Sequence, residues 1–183
     1  MSLSLKQKYL KQVVPELMKK LNLKNKLATP KMEKVIVNIG LNRNIVEKDQ
    51  KYQEIAAQTI AKITGQIPVK NLAKKSIAGF KIREGLVVGL STILRGQKMY
   101  DFVEKLINIA LPRIRDFRGL LKESIDCQGN LSIGFKEQTV FPEILQESVE
   151  RTHGLQVVIV TKAKNKEEGF ELFKLLGFPF REK

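Results

Sequence analysis

The stretch KMEKVIVNIG, residues 31–40, decides how the rest of the chain is read. Val35, Val37 and Ile39 alternate with Lys34, Ile36 and Asn38, and β-branched side chains at every second position mark a strand. Gly40 closes it. One face is expected in a core, and the other is expected to carry Lys34 and Asn38 outward.

On either side the period changes. Upstream, Leu10, Val13, Val14, Leu17, Met18 and Leu21 recur at three- and four-residue steps with lysines between them. That spacing predicts an amphipathic helix over about 2–22, in which Pro15 demands a kink or a nearby helix start. Downstream, Tyr52, Ile55, Ala56, Thr59, Ile60 and Ile63 predict a second helix, stopped at Thr64-Gly65 by a left-handed glycine cap. IPVK (67–70) and GLVVGLSTILRG (85–96) read as extended. Met99, Phe102, Val103, Leu106, Ile107 and Ala110 make a third helix that ends at Leu111-Pro112. NLSIGF (130–135) and LQVVIVTKA (155–163) read as strands, and KEEGFELFKLLGF (166–178) as a last helix.

Strands and helices are mixed without strict alternation and without a phosphate loop, which excludes a doubly wound parallel sheet. The expected class is α+β: a two-layer sandwich of a mostly antiparallel β-sheet with helices on one face and an extended basic β-hairpin loop. No repeat or linker divides the chain. A single domain over 1–183 is expected, with the helix at 2–22, the sheet and loop at about 30–96 and a C-terminal part at about 97–183.

The 183 residues are 43% apolar, enough to bury roughly two-thirds of the unfolded surface. Against 19 acids stand 33 Lys and Arg, a net charge of +14 and a pI near 9.9. Such a field attracts polyanions, so nucleic acid or an anionic membrane heads the partner classes, with plain solubility as the alternative. Cys127 is the only cysteine and His153 the only histidine, so an internal disulfide and a four-ligand zinc site are both excluded. No metal or cofactor is expected. No run approaches the roughly 20 apolar residues of a membrane span, and MSLSLKQKYLKQ resembles neither a signal nor a transit peptide. A soluble, cytoplasmic chain with no membrane partner is the expectation.

Catalysis has no visible constellation. His153, between Thr152 and Gly154, reads as a structural histidine in a loop or at a strand edge. The glycines at 85 and 89 fit no dinucleotide fingerprint, and the acids are scattered. The chain is not expected to be an enzyme.

The charge is concentrated in NLAKKSIAGFKIREG (71–85) and its flanks. Between Lys70 and Tyr100 lie Lys70, Lys74, Lys75, Lys81, Arg83, Arg95 and Lys98 against the single acid Glu84. Phosphates are the natural ligands of such a patch, because each one neutralised releases a counterion. Phe80, beside Gly79, either stacks on a base or ribose or folds back onto a helix. In PRIRDFRGL (112–120), Arg113, Arg115 and Arg118 either cap a helix end beside Asp116 or contact phosphate.

SIAGFKIREG, LRGQKMYDF, ALPRIRDFRGL and KEQTVFPEI follow one another in order, with KMEKVIVNIG upstream and GFPF at the end. From about Tyr9 to Phe180 the chain resembles the bacterial large-subunit ribosomal protein L-five family, the 5S rRNA binder of the central protuberance. The resemblance implies a structural constituent that anchors 5S rRNA beside 23S rRNA and other central-protuberance proteins. It also implies a basic loop approaching the P-site tRNA, and an intersubunit bridge to the small-subunit head protein S-thirteen. Asn38, Gln66 and Arg95 match the family's 5S-binding sheet face, with Lys34 beside them. Lys74, Lys75, Ser76, Gly79, Phe80, Lys81 and Arg83 match its tRNA-facing loop. Arg113, Arg115 and Arg118 are candidates for a further contact with RNA or a ribosomal protein. One position departs: the family's threonine two residues before the arginine is Ile93 here, with Thr92 one place earlier. Strand alternation points Thr92 away from the side of Arg95 unless a bulge re-aims it, and Ile93 removes a polar contact. An RNA-processing enzyme and a membrane-surface protein docking through the N-terminal helix are the rival classes.

Overall fold

A computed structural model describes residues 4–41, 50–80, 82–144 and 152–181. Five strands, β1 (Met32–Gly40), β2 (Val69–Leu72), β3 (Val87–Leu94), β4 (Leu131–Phe135) and β5 (Leu155–Thr161), form one sheet in the order β2-β3-β1-β5-β4. The sheet is antiparallel, and a few bonds give its register. Val69 lies opposite Ser91 and Asn71 opposite Gly89, Leu41 N–H donates to Val88 O at 3.0 Å, and Lys162 N–H donates to Lys31 O at 2.8 Å. Helices complete the two-layer α+β architecture expected from the sequence. The chain clusters into two compact units, Met1–Val35 with Leu94–Ile133 and Val158–Lys183, and Ile36–Ile93 with Gly134–Val157.

The first unit holds three helical runs. α1 is assembled from Leu5–Lys8, Tyr9–Val13 and Val14–Lys20, and α3 from Gly96–Lys105 and Leu106–Ala110 with a 3₁₀ turn at Leu111–Arg113. In both, the middle or terminal segment is a wide π turn that ends just before a proline. Val14 N–H reaches back five residues to Tyr9 O ahead of Pro15, and Leu111 N–H reaches Leu106 O ahead of Pro112. A proline ring clashes with the carbonyl four residues earlier and has no N–H to offer it, and widening the preceding turn relieves both problems. Of the kink or helix start that Pro15 demands, the structure has a π turn followed directly by the α-helical segment Val14–Lys20, with Pro15 in its first turn.

α4 (Lys166–Leu176) begins where the Asn165 side chain accepts the Glu168 N–H at 2.9 Å and ends at Gly177, φ 104°, whose N–H and that of Phe178 close on Phe173 O. Other elements supply the remaining caps. The Glu104 carboxylate accepts the free Leu5 N–H at 3.0 Å, and Lys8 Nζ donates to Leu176 O at 3.1 Å. Leu17, Val103, Leu106, Leu172 and Phe173 are buried to 0% exposure in this unit's core. Gly169 of α4 approaches Gly129 so closely that a Cβ on it would meet Gly129 Cα at 2.5 Å.

In the second unit, α2 (Gln50–Thr64) buries Tyr52, Ala56, Thr59, Ile60 and Ile63. Val37, Ile39, Leu90 and Thr92 supply the buried side of β1 and β3. Gly65, φ 66°, stops α2 as the sequence requires. His153 sits in the loop before β5 yet is 6% exposed. Its backbone N–H donates to Gln138 Oε1 at 2.7 Å, and its ring meets Tyr52 edge-on at 6.1 Å. The histidine is a packed core group.

Candidate nucleic-acid interface

Alternation along β1 settles which side chains face outward. Val35, Val37 and Ile39 are buried to 1% exposure or less, while Lys34, Ile36 and Asn38 are partly exposed. The same rule sorts β3: Leu90, Thr92 and Leu94 are buried, whereas Ser91 is partly exposed and Ile93 is 49% exposed. Thr92 points inward and Ile93 takes the outward place, as strand alternation anticipates. Because residues directly opposite on paired strands share a face, Val69 and Asn71 lie with Ser91. Ser91 Oγ donates to Asn71 Oδ1 at 3.1 Å. Ser91, Asn71 and Val69 were not singled out from sequence, and only the β2–β3 register reveals them. Lys70 pairs with the buried Leu90 and lines a cleft with Gln53, Glu54 and Ala57 of α2, so it belongs to the helix side of the sheet.

Two of the anticipated sheet residues sit off the strands. Arg95 follows β3 as the residue before α3, exposed, with Nη1 3.5 Å from Glu33 Oε1. At that length, with both side chains solvated, the pair is a loose one. Gln66 lies in the turn between α2 and β2, where its backbone N–H donates to Thr64 Oγ1 at 3.3 Å and its side chain is partly exposed.

The basic segment between β2 and β3 is held by its own backbone. Ala73 N–H donates to Leu86 O at 2.8 Å and Gly85 N–H to Ala73 O at 3.0 Å. Ile77 and Ile82 exchange N–H bonds at 2.9 and 3.1 Å, and a 3₁₀ turn at Ala78–Phe80 lies within the resulting bridge. Ser76 Oγ accepts the Glu84 N–H at 3.0 Å, so this serine serves the scaffold as well as the surface. Lys74, Lys75, Gly79 and Arg83 are exposed, and Phe80 is 72% exposed. Phe80 therefore does not fold back onto a helix. Among the described residues, none of Lys74, Lys75 and Arg83 is tied up in an ion pair. Lys81 lies outside the described residues.

Arg113, Arg115 and Arg118, in the first unit, are likewise exposed and without ion pairs among the described residues. Asp116 between them adopts φ 56° and makes no bridge to them. No group of three or more His, Cys, Asp or Glu that could hold a metal stands together among the described residues, and no described helix is long and apolar enough to cross a membrane.

Outward amides, a hydroxyl and apolar groups on a sheet, with cations on exposed backbone-braced segments that carry no ion pairs among the described residues, make this a basic α+β protein whose surface suits ribose and phosphate oxygens. Two family models match consecutive parts of the chain, one described as Ribosomal protein L5 over residues 25–83 and one as the ribosomal L5P family C-terminus over 87–180. The large ribosomal subunit protein uL5 of Dictyoglomus thermophilum is 50% identical over 177 residues, covering 97% of this chain and 98% of its own. Those of Halothermothrix orenii and Alkaliphilus metalliredigens are each 47% identical, over 97% and 96% of this chain and 98% and 97% of their own. The chain belongs to the ribosomal protein L5 family. It is a structural constituent of the large ribosomal subunit in the cytoplasm, not an enzyme, and works in translation with ribosomal RNA and ribosomal proteins as its partners.

Proposed function

We propose that the chain binds 5S rRNA through Lys34, Asn38, Gln66 and Arg95 and anchors it in the central protuberance beside 23S rRNA and neighbouring ribosomal proteins. The segment carrying Lys74, Lys75, Ser76, Gly79, Phe80, Lys81 and Arg83 faces the P-site tRNA. Arg113, Arg115 and Arg118 supply a further contact with RNA or a ribosomal protein, and the chain takes part in the bridge to the small-subunit head protein S-thirteen.

The observation that carries this reading is the sorting of β1. Its apolar side is consumed by the core, and a cation and an amide are left on the other. Amides give directional bonds to ribose and phosphate oxygens, and arginine gives forked, charge-assisted ones. With Ile93 outward in place of a hydroxyl, this face meets the sugar surface by shape as much as by hydrogen bonding.

Equilibrium binding to 5S rRNA and to an unrelated structured RNA of equal length, each across a salt series, tests it. Tighter 5S binding that persists as salt rises is expected. Equal affinities that fall together would reduce the interaction to the +14 net charge alone.

A further inference from the structure

The C-terminal residues close onto the arginine loop in a way that spacing along the chain does not reveal. Leu120 N–H donates to Pro179 O at 2.8 Å and Arg181 N–H to Leu120 O at 2.9 Å, a parallel bridge between Leu120 and Phe180. Gly119, φ 95°, makes the approach possible, because a Cβ there would meet Arg181 N at 2.8 Å and Arg181 Cα at 3.0 Å. The backbone of Arg181 is thereby pinned beside the residue that follows Arg118.

The rest of the loop is equally braced. Ile114 N–H donates to Leu111 O at 3.2 Å and Phe117 N–H to Ile114 O at 3.3 Å. Lys122 Nζ stands 4.9 Å from the centre of the Phe170 ring, which packs on Phe180 at 4.9 Å. A fourth arginine and a lysine thus join Arg113, Arg115 and Arg118, against Asp116, Glu123 and Glu182 as the acids of the two sequence segments.

Residue choice points to the ligand. The chain has eight arginines among its 33 cations, and four of the eight fall here. Where only charge matters, lysine serves as well. A rigid planar fork that grips two oxygens at once is what arginine adds, and phosphodiesters present such oxygen pairs. All four arginines are exposed, and among the described residues none has an ion-pair or hydrogen-bond partner for its side chain.

We infer that Arg113, Arg115, Arg118 and Arg181 form a clamp for the phosphate backbone of an RNA helix. It is carried by the first compact unit and assembled only when the C-terminal segment docks on Gly119-Leu120. The inference rests on the RNA-binding reading above but not on the identity of the RNA held by β1.

The test uses the full chain and a 20-base-pair RNA duplex unrelated to 5S rRNA, so that failure of the 5S reading and failure of the clamp are told apart. Duplex affinity is measured from 50 to 200 mM salt for the unsubstituted chain, for Arg115→Gln/Arg118→Gln/Arg181→Gln, and for the exposed-lysine control Lys19→Gln/Lys24→Gln/Lys26→Gln, which loses the same net charge. The arginine triple is expected to bind more than about tenfold more weakly at 50 mM and to flatten the slope of log affinity against log salt by about 2, with the lysine triple changing it by less than about 1. Equal effects in the two triples would reduce the clamp to general charge, and an unchanged arginine triple would overturn it in favour of a protein partner. Should the glutamine triple fail to fold, Arg115→Lys/Arg118→Lys/Arg181→Lys decides. A loss of a few-fold at nearly constant salt slope supports the fork, and no loss refutes it.

Discussion

On the proposed reading Glu33 competes with 5S rRNA for the Arg95 guanidinium, and that competition can be measured. Arg95 Nη1 lies 3.5 Å from Glu33 Oε1, with the two side chains 57% and 36% exposed. An exposed pair of this kind contributes about 0–1 kcal/mol. A phosphate that takes over Arg95 forfeits that contribution. Replacing Glu33 by glutamine removes the competitor, so 5S rRNA is expected to bind up to about fivefold tighter. Replacing Arg95 by alanine deletes a hydrogen bond to a charged group, about 1.5–3 kcal/mol, and is expected to weaken binding about 10- to 150-fold. The double variant Glu33→Gln/Arg95→Ala then matches Arg95→Ala alone, because Glu33 has nothing left to hold. Glu16→Gln, equally one charge more positive and placed at an exposed site on α1, measures the general field and is subtracted. All five proteins go through one equilibrium titration against 5S rRNA at a single fixed salt concentration. If Glu33→Gln tightens binding as much in the Arg95→Ala background as in the parent, the carboxylate does not act through Arg95 and the reasoning fails.

Lys74→Glu with Lys75→Glu is expected to leave 5S rRNA affinity within a few-fold while lowering tRNA-dependent activity of reconstituted ribosomes; parallel loss of both would show the surface is wrongly divided. Gly169→Ala sets two effects against each other. Alanine gains about 1 kcal/mol of helix propensity, but its Cβ would fall 2.5–2.9 Å from three backbone atoms of Gly129, which cannot swing aside. Overpacking of about 1–3 kcal/mol or more wins, so urea unfolding is expected to report net destabilisation, and a gain in stability would refute the contact. For Asp126, burial raises the pKa, but bonds from Asn130, Gln128 and Gly129 outweigh it and hold the carboxyl below its usual range. A depressed folded-state pKa contributes stability above the unfolded value that is lost as pH falls through the folded one. The stability gap between the parent and Asp126→Asn is therefore expected to narrow from pH 6 towards pH 3, and a constant gap would exclude that linkage.

Legibility differs from element to element for identifiable reasons. β1 was readable because alternation of Val35, Val37 and Ile39 with Lys34 and Asn38 is a local property of one strand. Ile93 and Thr92 were readable for the same reason, and their burial agrees. The end of α2 at Gly65 was legible in a residue that tolerates positive φ. His153 was readable as a structural residue of a loop or strand edge, but its burial depends on Tyr52 and Gln138, which are distant in sequence. Gln66 was assigned to the sheet face by resemblance, whereas the α2–β2 turn holds it.

What the sequence by itself determined is whatever one segment decides alone: helix and strand periods, caps, the inward and outward sides of β1 and β3, the charge of the 71–85 segment, and membership of the family. The tertiary structure alone decided what depends on which segments become neighbours. It set the β2–β3 register that joins Asn71 to Ser91, the Glu33 partner of Arg95, and the docking of Arg181 against Gly119. Local patterns follow from the geometry of one backbone. Pairings between segments far apart in the chain follow from the burial that the whole molecule achieves together, and no single segment encodes that.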